Sequence, residues 1–137
     1  MKEGFVIIDT LEIPADIEAM VQVETLIDTV CSKLGVNEDY YGNVLIAVTE
    51  AVTNAIDHGS NKNKSLDIRV LVGDESKEFC FNIKDEGRGF DYSNLADPTS
   101  PDNILKENGR GIFLMRNLAD EVVFEDGGTS VSIYFNK

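Results

Sequence analysis

The sequence predicts an α+β fold, a mostly antiparallel, mixed sheet with helices packed on one face. Strand-like runs stand at both ends of the chain, and amphipathic helical stretches lie between them. The last two runs flank Asp126-Gly127-Gly128, a strong hairpin signal.

Phe5 to Ile13 is rich in β-branched and apolar residues and is closed by Pro14, so it reads as an opening strand. From Ala15 to Leu34, Met20, Val23, Ile27, Val30, Cys31 and Leu34 recur at three- and four-residue steps. That spacing predicts an amphipathic helix stopped by Gly35. Asn37 is placed to cap a second helix, with Glu38 and Asp39 in the first turn, where the helix dipole favours acids. In that helix Val44, Leu45, Ala47, Val48, Ala51, Val52, Ala55 and Ile56 form one continuous stripe, ended by Gly59. Ser65 to Val72 and Glu78 to Lys84 read as strands joined by a polar turn. Asp91 to Asn108 is polar, holds Pro98 and Pro101, and reads as a loop. A helix is predicted from Ile112, and Glu121–Glu125 and Ser130–Asn136 are the closing strands.

At 137 residues the chain fits one domain, residues 1–137, since domains cluster at ~100–150 residues. A hydrophobic fraction of 42% supports a real core. No run approaches the ~18–20 apolar residues of a membrane-spanning helix, and the first residues lack the layout of an export signal. A cytoplasmic location is therefore expected. With 25 acidic against 12 basic residues the net charge is −13. That repels nucleic acid and anionic membranes, so neither is expected as a partner. An anionic ligand would have to be met locally, by helix N-termini, a metal ion and a few basic side chains. Cys31 and Cys80 are far apart in apolar runs and read as reduced core residues.

Three segments carry chemistry. In projection at ~100° per residue, Glu50, Asn54 and His58 line one edge of the second helix's apolar stripe, so a cleft beside the core would see them in a row. An ordinary polar flank is the rival reading. Asp85-Glu86-Gly87-Arg88-Gly89 follows a strand directly, and glycines two apart let backbone approach a ligand. It is neither an EF-hand loop nor a dinucleotide fingerprint. Asn108-Gly109-Arg110-Gly111-Ile112 enters a helix, where free N–H groups make an anion site, although no Walker lysine follows.

An E-x-x-x-N helix, then D-x-G-x-G after a strand, then G-x-G at a helix start resembles the GHKL (Bergerat-fold) ATPases. Within that superfamily the chain is most similar to the small anti-sigma-factor serine-protein kinases. The resemblance implies a Bergerat-type two-layer sandwich that binds ATP and Mg²⁺. It also implies an activity: phosphorylation of a serine on an anti-anti-sigma (STAS-type) partner, which competes with a sigma factor for the kinase. A homodimer is suggested as well. By the same resemblance, Glu50 would be the general base and Asn54 the Mg²⁺ ligand. Asp85 would accept from the adenine amino group, and Gly87 and Gly89 would give room under the nucleotide. Gly109 and Gly111 would present N–H groups to the phosphates, and Thr129 would support the adenine site.

Two features depart from the kinase pattern. An arginine commonly precedes the last glycine box in that subgroup, whereas Glu107 and Asn108 stand here, so Arg110 or Lys106 would have to reach the terminal phosphate. The first helix carries only Lys33 and no arginine. A non-catalytic ATP-sensing interaction module is therefore the alternative. A histidine-kinase fragment would need a His-bearing dimerisation helix, and the sole histidine, His58, reads as a helix-end residue. An acidic metal-binding protein would need an ordered ligand motif.

Overall fold

A computed structural model describes residues 1–59, 65–87 and 107–137. Strand β1 (Val6–Pro14) leads to a 3₁₀ turn (Ile17–Ala19) and helix α1 (Met20–Leu34). Helix α2 (Glu38–Asn54) continues into a π turn (Ala55–Gly59). The rest is β2 (Asp67–Asp74), β3 (Glu78–Asp85), α3 (Glu107–Leu118), β4 (Glu121–Glu125) and β5 (Ser130–Asn136). The sheet order is β1-β2-β3-β5-β4. Every described pairing is antiparallel, so the mixed sheet expected from the sequence is corrected to an antiparallel one among the described residues.

The helix boundaries follow local chemistry. Asp16 accepts a hydrogen bond from the Glu18 N–H at 3.1 Å, so the predicted helix starts as a tight turn. Gly35 adopts φ 65°, and the Val36 N–H reaches back to the Cys31 carbonyl at 2.9 Å, the Schellman ending that only a left-handed residue closes cheaply. Asn37 caps α2 as expected, accepting from the Asp39 N–H at 2.8 Å. Pro14, placed outside the strand by the sequence reading, is paired opposite Asp67. It sits at the end of an edge strand, where its missing N–H costs little.

Two helix ends differ from the periodicity. The last turn of the Asn37-capped helix is π rather than α, with Ala55 and Ile56 both buried in it. Helix α3 begins at Glu107, not Ile112, so the glycine box lies inside the helix.

Register decides which side of the sheet is buried. Phe79, Phe81 and Ile83 of β3 alternate inward, alongside Val70 and Val72 of β2 and Val131, Ile133 and Phe135 of β5. The helices cover this face, with Val44, Val48 and Val52 of α2 and Ile27 and Val30 of α1 fully buried against it. Each such side chain contributes roughly 1.5–3 kcal/mol by leaving water. On the opposite face, Asn82 donates to Ser130 and Ser132 at 3.1 and 2.8 Å. There the N-terminal segment packs over Tyr134, with the Phe5 ring 5.5 Å away and the Lys2 N–H on the phenol oxygen at 2.8 Å.

Candidate nucleotide site

The period-two alternation of β3 carries on to its last residue. Asp85 points to the same side as Ile83 and is paired with Ile68, so a carboxylate stands on the helix-covered face at the sheet's end. It is 5% exposed. Loss of water around it pushes its pKa up from the ordinary carboxylate value, while the Gly87 N–H, donating to Oδ1 at 2.8 Å, pulls the other way. Its own N–H donates to the Thr129 carbonyl at 2.9 Å, which ties the end of β3 to the turn before β5. Gly87 is thus tethered by the carboxylate it follows.

Across from Asp85 stands the C-terminal half of α2. A narrow crevice there is lined by Ala51, Asn54, Ala55, Asp85 and Thr129, with Met115 of α3 at its wall. The two alanines lie one turn apart and open the gap. They are lining residues the sequence reading treated only as core stripe, although their small size among valines and leucines was the available signal.

Asn54 is buried, and its Nδ2 has no hydrogen-bond partner. An orphaned amide in a dry wall costs about 1–3 kcal/mol. The O and N of an amide occupy nearly the same shape, so a half-turn of the group would present its carbonyl oxygen at this point instead. That suits a hard cation taking one protein oxygen and completing its shell with phosphates and water. Among the described residues no cluster of three or more His, Cys, Asp or Glu forms a metal cage. A magnesium ion would therefore rest on Asn54 and the phosphates it accompanies.

Glu50 lies one turn before Asn54, beneath α3. A Cβ built on Gly111 would sit 2.7 Å from Glu50 Oε2 and 3.8 Å from Asn54 Nδ2. Glu50, Asn54, Asp85, Gly87, Gly111 and Thr129 are thus drawn from distant parts of the chain to one end of the sheet. Gly109 falls in the first turn of α3, among the positions whose N–H groups lack a partner within the helix, whereas Gly111 lies a further half-turn in. Gly89 and Lys106 lie outside the described residues, as do the side chains of Arg110 and His58 and the expected Asp91–Asn108 loop up to residue 106.

Size alone does not select this place. A cavity of about 600 Å³, lined by Leu34, Val36, Tyr40, Phe79 and Asp120, opens at the other end of α2. It is larger, and none of the residues expected to meet a nucleotide lines it.

Comparison with known proteins agrees with the fold. The model of the histidine kinase-like ATPase domain matches residues 13–135. Serine-protein kinase RsbW from Staphylococcus aureus strains JH9 and Newman is 31% identical to this chain over 140 residues, covering 96% of this chain and 86% of the relative. A crystal structure of the RsbU and RsbW domains of Rv1364c from Mycobacterium tuberculosis superposes with a TM-score of 0.58 at 14% identity. That match covers 93% of this chain and 31% of the solved one, and it speaks for the fold alone. With its α+β architecture and a family match across nearly its whole length, the chain belongs to the histidine kinase-like ATPase domain family, and it is similar to serine-protein kinase RsbW.

Proposed function

We propose that this chain binds Mg–ATP in the crevice between α2 and the end of the sheet and transfers the γ-phosphoryl group to a serine of an anti-anti-sigma partner. Sigma-factor binding would be governed by that modification. The observation that carries the reading is Asp85, a buried carboxylate on the core face of the sheet, opposite an unpartnered amide on α2.

Each residue's part follows from its position. Asp85 holds one oxygen on the Gly87 N–H, which leaves the other to accept from an adenine amino group. Burial makes that hydrogen bond selective, because a base without the donor would leave a desolvated carboxylate unpaired. Asn54 would hold the magnesium, whose charge offsets that of the phosphates in a protein of net charge −13. The start of α3, with Gly109, would direct N–H groups at the phosphates. Glu50 would accept the proton of the attacking serine hydroxyl as its Oγ–P bond forms and the bond from Pγ to the bridging oxygen breaks, releasing ADP. From the sequence resemblance alone, Gly89 and Arg110 would complete the nucleotide contacts, and Thr129 would back the adenine end.

One observation favours a second reading, an ATP-sensing interaction module without transfer. Glu107 and Asn108 stand where the kinase subgroup commonly places a phosphate-binding arginine. Transfer of labelled γ-phosphate to purified candidate anti-anti-sigma domains separates the two. The kinase reading expects acid-stable phosphoserine that is lost in Glu50→Ala while ATP affinity stays within a few-fold. ATP binding with no labelled serine on any such partner would leave only the sensor.

A further inference from the structure

We infer that Gly111 is a positioning residue: its missing side chain forms the notch that seats the Glu50 carboxylate, and its contribution to phosphate binding through its own N–H is minor. This rests on the reading of Glu50 as the base. Three observations support it. Helix α3 begins at Glu107, so the Gly111 N–H lies where the helix supplies its own acceptor four residues back. A Cβ at Gly111 would meet Glu50 Oε2 at 2.7 Å, closer than side-chain packing allows, with the Glu50 Cδ at 3.7 Å. Gly111 is buried, and glycine inside a helix is unfavourable relative to alanine, so a glycine here needs a reason of its own. The notch supplies that reason.

The group that a methyl at Gly111 would strike is the tip of a flexible side chain and not backbone. Gly111→Ala should therefore displace the carboxylate and leave the fold and the nucleotide pocket standing. The same methyl would be accommodated without conflict once Glu50 is shortened.

A double-mutant cycle tests this in two independent ways. In thermal unfolding of the ligand-free protein, Gly111→Ala should raise Tm more in a Glu50→Ala background than in the wild type, because the helix gains without the clash only there. Equal shifts in both backgrounds would overturn the inference, whatever the enzymology shows. In steady-state transfer, Gly111→Ala should lower kcat at least tenfold with the ATP dissociation constant changed less than threefold. A variant that instead loses ATP affinity by tenfold or more, or that keeps wild-type kcat, would return Gly111 to a phosphate-contact or passive role. A wild-type protein without transfer activity would sink the kinase reading yet leave the Tm cycle decisive for the notch.

Discussion

The two ends of α2 are built from the same helix and treat polar groups in opposite ways. At the N-terminal end each polar group singled out has a partner. Asn37 caps the helix, and the Tyr40 hydroxyl donates to Asp120, just beyond α3. The same Asp120 oxygen accepts from the Asn136 N–H at 2.7 Å. The Tyr40 phenol is pushed up to about 12 by loss of water and then by its bond to Asp120. At the C-terminal end an amide is orphaned, a carboxylate is desolvated and the last turn widens to π. One end clamps α2 to the α3–β4 junction and to β5. The other leaves Asn54 and Asp85 poorly satisfied, as the proposed binding site would require.

Breaking the ligand end should therefore change affinity more than stability. The largest expected effect is that of Asp85→Asn, which replaces the proposed carboxylate acceptor for the adenine amino group. A hydrogen bond to a charged group is worth about 1.5–3 kcal/mol, or roughly 10–100-fold in ATP affinity, readable by calorimetry. Because the folded carboxyl holds its proton more tightly than the unfolded chain, Asp85 supports folding of the ligand-free protein at low pH. That contribution fades as pH rises through the raised folded pKa. Asp85→Asn should flatten this part of the profile of Tm against pH. An unchanged profile and unchanged ATP affinity together would show that Asp85 does not read the base.

A smaller effect is expected for Asn54→Ala. It should weaken Mg–ATP binding by roughly tenfold, about 1.4 kcal/mol, and abolish the difference between ATP with and without Mg²⁺. Since it also removes a buried amide nitrogen lacking a partner, the ligand-free Tm should not fall. A drop of several degrees would mean that Asn54 belongs to the stabilising end of the helix after all.

The clamp end sharpens the contrast from the other side. Tyr40→Phe keeps the ring, which packs edge-on to Phe135 at 6.1 Å, and removes only the hydroxyl. It should lower stability by about 1 kcal/mol, roughly 3 °C in Tm for a chain of this size, with ATP affinity unaltered. A loss of affinity larger than the loss of stability would show that the two ends of α2 are coupled through the helix.

Much of this was written locally. The α2 stripe, the Asn37 cap and the Gly35 stop depend on neighbours within a few residues, so periodicity and side-chain chemistry sufficed to place them. The boxes around Glu50, Asp85 and Gly109 were legible because each combines a reactive or flexible residue type with a turn or helix edge. The orientation of Asp85 was not legible. Phe79-Cys80-Phe81 shows no alternation, so either face of β3 was open. Nor was the early start of α3, because a glycine box gives no sign of where the preceding turn winds up.

What the amino-acid order determined by itself is therefore the inventory: which helices form, where α1 stops and α2 starts, and which three segments hold groups suited to a nucleotide. Pairing β3 with β2 and β5 decided that Asp85 faces the helices, because register selects one of two faces and no single strand contains that choice. Packing α3 on α2 decided that Gly111 meets Glu50, because contact between residues sixty-one positions apart depends on how two helices cross and not on the sequence of either one.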